Sequence, residues 1–136
     1  MSAVERRFEF LIDDEVDRDI EDVVDADPDA AALIVAIIQE MQGDRTLCER
    51  LIEPDYEDDQ ISSVLPFEAL QRKWYNAYRV KLYEVADWRL ITAVDHKQRL
   101  IALLYIMRRD ENYDDKVQQS VIEAYERLGL SRMGNR

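Results

Sequence analysis

The segment "YRVKLYEVADWRLITAVDHKQRLIALLYIMRR", residues 78–109, leaves this chain few architectures to choose from. Three apolar runs stand back to back, separated only by the breaks "ADW" and "DHKQ". Tyr78, Val80 and Leu82 alternate with Arg79, Lys81 and Tyr83; Trp88, Leu90, Thr92 and Val94 alternate with Arg89, Ile91 and Ala93. Alternation with period two is the mark of a half-buried strand. Residues 99–107 are apolar almost throughout, as in a central strand covered on both faces. Breaks this short join antiparallel neighbours. Strands at about 78–86, 88–95 and 99–108 therefore pair in sequence order.

The flanking segments supply helices. "RRFEFLI" puts Phe8, Phe10 and Ile12 on one face and Arg7, Glu9 and Leu11 on the other, a short strand. In "DDEVDRDIEDVV", Val16, Ile20, Val23 and Val24 recur at helical spacing among acids, so residues 13–24 read as an amphipathic helix. Asp27 and Pro28 supply an N-cap and a first-turn proline for a strong helix over 28–42, and Gly43 is a suitable stop. A shorter helical piece follows at 45–52, then the loop "EPDYEDDQ", with strand character from "ISSVLPFEAL" onward. Val117, Val121, Tyr125 and Leu128 mark one face of a C-terminal helix over 114–130 ended by Gly129, and "LSRMGNR" reads as a frayed tail. The expected fold is α+β: an N-terminal strand and two helices packed on a small curved antiparallel sheet, then a C-terminal helix. The sheet's other face is left open to bind something. The 136 residues fit one domain, 1–136, made of an acidic segment over residues 1–65, a basic sheet over 66–113 and the helix over 114–130.

Charge divides the chain as sharply as structure does. Residues 1–65 carry 20 acidic and 5 basic side chains, a balance of −15, whereas residues 66–136 carry 10 and 13, a balance of +3. Such asymmetry points to a polyanion-binding region beside an acidic one. The apolar run "AAALIVAII" is far short of a membrane span, and "MSAVERRFEF" shows no signal peptide. The single Cys48 forms no internal disulfide and has no Cys or His at ligand spacing. These features lead us to expect a reduced, cytoplasmic protein without a metal or other cofactor.

Residues 78–113, in the stretches "YRVKLYEV", "WRLITAV", "DHKQ" and "RLIALLYIMRRDENY", resemble the RelE/ParE superfamily of bacterial type II toxins. The resemblance implies two helices before a curved antiparallel sheet and, in the ribosome-dependent branch, a metal-independent endoribonuclease that cuts messenger RNA. It also implies a cognate antitoxin protein, the ribosome and mRNA as partners, with no membrane and no DNA-specific binding by this chain. Arg79 and Lys81 match the basic pair of the first strand, Arg89 the arginine opening the next, and Arg108 or Arg109, then Tyr113, the group after the last. In that chemistry the substrate's 2′-hydroxyl attacks the adjacent phosphate. Arginines stabilise the phosphorane because their charge is permanent and forks onto phosphate. Lys81 or Tyr113 would move protons, which requires a pKa lowered from about 10 by neighbouring cations.

Alternatives remain open on the sequence. The same fold carries non-enzymatic proteins: ParE-like gyrase inhibitors, or a phage or plasmid regulatory protein whose acidic half docks on a basic partner. His96 is a general-base candidate but sits in a turn beside Asp95, where an exposed histidine is the ordinary case. Trp74, Tyr75, Tyr78 and Trp88 could stack on bases, though aromatics at strand positions, Tyr105 among them, commonly belong to the core. The acids of residues 13–29 lack the spacing of a calcium loop and read as a solvated face.

Overall fold

The computed structural model describes residues 8–44, 46–85, 87–111 and 115–134. Its elements are β1 (Glu9–Ile12), α1 (Glu15–Ala26), α2 (Pro28–Gly43), a 3-10 helix (Leu47–Ile52), β2 (Ile61–Pro66), the single turn α3 (Glu68–Gln71), β3 (Ala77–Leu82), β4 (Trp88–Asp95), β5 (Leu100–Arg108) and α4 (Asp115–Arg127). They form an α+β fold around one five-stranded open sheet of order β1-β5-β4-β3-β2.

The meander forms as its spacing demands: β2–β3, β3–β4 and β4–β5 are all antiparallel. The 88–95 strand has the expected bounds, while the first strand ends at Leu82, four residues before the expected limit. Asp95 stabilises the tight β4–β5 turn by accepting from the Gln98 amide at 3.1 Å, and Arg99 adopts a left-handed φ of 59°. β1 is the exception to an antiparallel sheet. It pairs parallel with β5, from Glu9 opposite Leu100 to Ile12 opposite Leu103, so the sheet is mixed.

β5 lies between β1 and β4 and is buried from Ile101 to Met107 apart from half-buried Tyr105. A strand apolar on both sides needs two covering layers. The first core joins Val16 and Val23 of α1, Ile34, Ile37 and Met41 of α2 and Leu51 of the 3-10 helix to Val64, Val80, Leu90 and Leu103. The second joins Val117, Val121 and Tyr125 of α4 and Leu70 of α3 to Ala77, Ile91, Ala93 and Leu104. The face expected to be left open is thus largely covered by α4. As expected, Asp27 caps α2, its side chain accepting from the Ala30 amide at 3.1 Å, with Pro28 as the first helical residue. α4 is followed by Gly129 at φ 72°.

The described part of the tail, residues 130–134, is held rather than frayed. Leu130 is buried, the Ser131 amide donates to Asp95 at 2.7 Å, and the Tyr125 hydroxyl donates to the Ser131 carbonyl at 2.6 Å. Burial pushes the Asp95 carboxyl up, but the hydrogen bonds from Ser131 and Gln98 hold it below the usual carboxylate range.

One ion pair ties the first strand to the last helix. Asp13 is buried at the β1–α1 junction, where its amide donates to the Leu103 carbonyl and its carboxylate receives the Glu15 amide. Arg127 closes on that carboxylate with both forks, Nε at 2.9 Å and Nη2 at 2.8 Å. A buried carboxylate that loses its cation keeps the desolvation cost and loses the compensation. Arg127→Ala is therefore expected to destabilise the fold, read as a lower urea midpoint with an unchanged slope.

Candidate functional site

Position along β3 and β4 decides which of the sequence-predicted residues meet. Val80 and Leu82 enter the first core, so Arg79 and Lys81 face the opposite side. Trp88 and Leu90 also enter the first core, which sends Arg89 to the same side as Arg79 and Lys81. Lys81 lies directly across from Arg89 in the β3–β4 register, and Arg79 lies two residues along. Cross-strand neighbours stand roughly 5 Å apart and next-but-one residues about 7 Å, so the three cations form one cluster. Like charges set directly opposite each other cost stability. Leu65 of β2, opposite Arg79, borders the cluster and is 37% exposed. Lys81 is exposed, and Arg79 and Arg89 are half-buried.

Arg108 does not join them. The β4–β5 register slips at Leu104: Thr92 pairs with Leu103 and Ile91 with Tyr105, leaving Leu104 as an extra residue. Strict alternation from Ile101 would place Arg108 on the cation-cluster face. The bulge reverses that parity, so Ile106 enters the first core and Arg108 points to the side of α1 and α2. There its guanidinium lies 5.8 Å from the centre of the Trp88 ring and 3.2 Å from Asp110. Arg109, the fallback, donates its amide to the Asp87 carbonyl at 2.6 Å and lines the same groove of about 420 Å³ as Asp27, Trp88 and Arg108. Tyr113 lies outside the described residues.

His96 is exposed in its turn, its ring edge-on to Phe8 at 5.8 Å. Tyr75 and Trp88 are core residues, and Tyr78 and Tyr105 are half-buried. Trp74, by contrast, is 50% exposed. Cys48 is buried. Among the described residues no group of three or more His, Cys, Asp or Glu is arranged to hold a metal ion, and no helix is long and apolar enough to cross a membrane.

Sequence reasoning missed Asp19. β1 ends at Ile12, so among the described residues the edge of β5 beyond Leu103 has no neighbouring strand. The Ile106 amide instead donates to the Asp19 carboxylate at 3.0 Å. Burial, opposed by this hydrogen bond and reinforced by Asp22, Glu111 and Glu15, raises the Asp19 pKa from 3.8 to about 7. Tyr105 beside it donates to Glu111 at 3.1 Å, and burial with the Glu111 charge pushes its hydroxyl well above the usual phenol range. The groove between α1 and the end of β5 thus holds Asp19, Asp22, Asp25, Glu111, Tyr105 and Arg108. A carboxyl poised near neutrality can exchange protons, but its surroundings repel phosphate. The signal was present: Asp19 falls inside the apolar stripe Val16–Ile20–Val23, where an acid must find a partner.

No family model, no curated protein and no solved structure matches the chain.

Asp19 carries a test of its own. Its native pKa lies above the ordinary value, so the stability it contributes is complete below about pH 4 and is lost as pH rises to about 7. Asp19→Asn keeps an acceptor for the Ile106 amide and removes the titration. The variant should gain about 1–2 kcal/mol over the parent at pH 8, where solvent screens this partly exposed site, and much less at pH 4.5. Thermal melting across that range measures it.

Proposed function

We propose that the chain is the toxin of a type II toxin-antitoxin pair, a RelE-like endoribonuclease that cuts messenger RNA on the ribosome. The observation that carries this reading is the convergence of Arg79, Lys81 and Arg89 on one sheet face in a chain that is otherwise strongly acidic. Guanidinium groups fork onto phosphate oxygens, and cations gathered on one strand pair suit such a ligand. In the reaction, Arg79 and Arg89 bear on the phosphate whose charge grows in the transition state. Lys81, between them, is the group placed to move a proton. Tyr113 keeps the proton-transfer role that the resemblance implies. Arg108 is left out, since the bulge turns it to the other face. The setting is cytoplasmic, with a cognate antitoxin protein as partner. The acidic α1–α2 surface keeps RNA away from that side and confines it to the cationic face.

The acidic groove around Asp19 favours a second reading, a non-enzymatic interaction protein on the same fold, ParE-like or regulatory, that docks a basic partner on α1.

Translation-dependent cleavage on purified ribosomes separates the two. Arg89→Ala should lower the cleavage rate on the order of 10²-fold or more, as loss of a transition-state phosphate contact does. Arg108→Ala should change it less than about threefold, well under 1 kcal/mol of barrier. Equal losses in both variants would return Arg108 to the site. A wild-type protein that leaves messages uncut, yet arrests growth when expressed, would install the interaction reading in its place.

A further inference from the structure

The two tryptophans have opposite fates. Trp88 is 6% exposed and Trp74 is 50% exposed, in the turn between α3 and β3. The Trp74 backbone has a φ of 72°, a left-handed conformation costly for a bulky side chain. The surrounding structure fixes it there. Its amide donates to the Gln71 carbonyl at 3.0 Å, and its carbonyl accepts from the Met133 amide at 2.7 Å. Gly134 lies against the indole so closely that a Cβ would stand 2.6 Å from Cζ3 and 2.8 Å from Cε3. The C-terminal segment is thus a brace for this ring, anchored by Ser131 on Asp95 and by Arg132, which lies 4.6 Å over the Tyr75 ring and donates to the Lys73 carbonyl. Next to it in the chain stand Arg72, whose side chain is 73% exposed and 4.0 Å from Glu68, and Lys73, which donates to Gln118 at 2.9 Å; Arg132 belongs to the brace. Core packing does not account for a strained, braced indole left half in water.

We propose that Trp74 is a stacking platform for an unpaired base of single-stranded RNA, with Arg72, Lys73 and Arg132 taking the flanking phosphates. Every base offers a π-face, so an indole with a basic surround binds single strands with little sequence preference. The placement of the strand rests on the ribonuclease reading. Trp74 precedes Arg79 by five residues, at most about 18 Å of chain. Leu70 and Tyr75 beside the turn enter the second core, on the cation-cluster side of the sheet. A strand of a few nucleotides therefore reaches from the indole to Arg79, and Trp74 sets where the message lies without touching the reacting phosphate.

The full chain titrated with an unstructured ten-nucleotide RNA, followed by tryptophan emission at low salt, tests this. Quenching is expected in the wild type, weakening as salt rises, and lost in Trp74→Phe, which assigns the signal. Trp74→Ala should weaken binding about tenfold or more. Gly134→Ala, whose Cβ and left-handed φ of 59° force the ring and its bracing segment apart while leaving the indole chemistry intact, should weaken it several-fold and keeps the test alive if Trp74→Ala fails to fold. The proposal is overturned by no quenching, by wild-type affinity in both variants, or by equal or tighter binding of the matching DNA oligomer. Ribosomal cleavage distinguishes it from the reading it rests on. A wild-type protein that cuts messages, with Trp74→Ala binding RNA as tightly as wild type, removes the platform alone. RNA binding through Trp74 by a protein that cuts nothing removes the nuclease alone.

Discussion

A strand that is apolar on both faces cannot rest against one layer, and β5 is such a strand. Its side chains from Ile101 to Met107 divide between two cores, one built with α1 and α2 and the other with α4. The helical hairpin, the C-terminal helix and the two flanking strands all exist in relation to it. Burying that much apolar surface supplies the dominant favourable term. The Asp13–Arg127 pair then fixes how the two layers meet at one end.

Much of this was legible from local pattern. The breaks "ADW" and "DHKQ" are too short for anything but antiparallel returns, and the meander follows them. Asp27-Pro28 marks the start of α2 through chemistry that acts within one turn. What was not legible is non-local. The alternation of Phe8, Phe10 and Ile12 announces a strand but carries no information about its partner, and β1 pairs parallel to β5. The side of the sheet taken by α4 is likewise set by which apolar face remains uncovered. The cation cluster was readable because β3 and β4 alternate without interruption. Arg108 was misplaced by one bulged residue, Leu104, because parity is the whole of the signal and a single insertion reverses it.

The same bulge links the two charged regions. Past Leu103 the β5 edge has no strand beside it among the described residues, and an exposed edge is a liability. Asp19 closes it with a carboxylate instead of a strand. The acid that seals the edge is itself poorly solvated, which raises its pKa and makes the acidic side of the molecule sensitive to pH near neutrality. Arg108, turned to that side, places one cation at the rim of the groove.

The parallel pairing of β1 also has a consequence in time. Glu9 and Leu100 are ninety-one residues apart in the chain. At roughly 5–20 residues per second of synthesis, β1 waits on the order of 5–20 s for its neighbour to be made, and Asp13 waits longer for Arg127. During that interval the α1–α2 hairpin has no sheet to cover. Its acid-rich outer surface makes such a wait tolerable, since like-charged nascent chains repel one another before their apolar stripes can meet. The acids that contribute little to the finished core thus guard the interval before it forms.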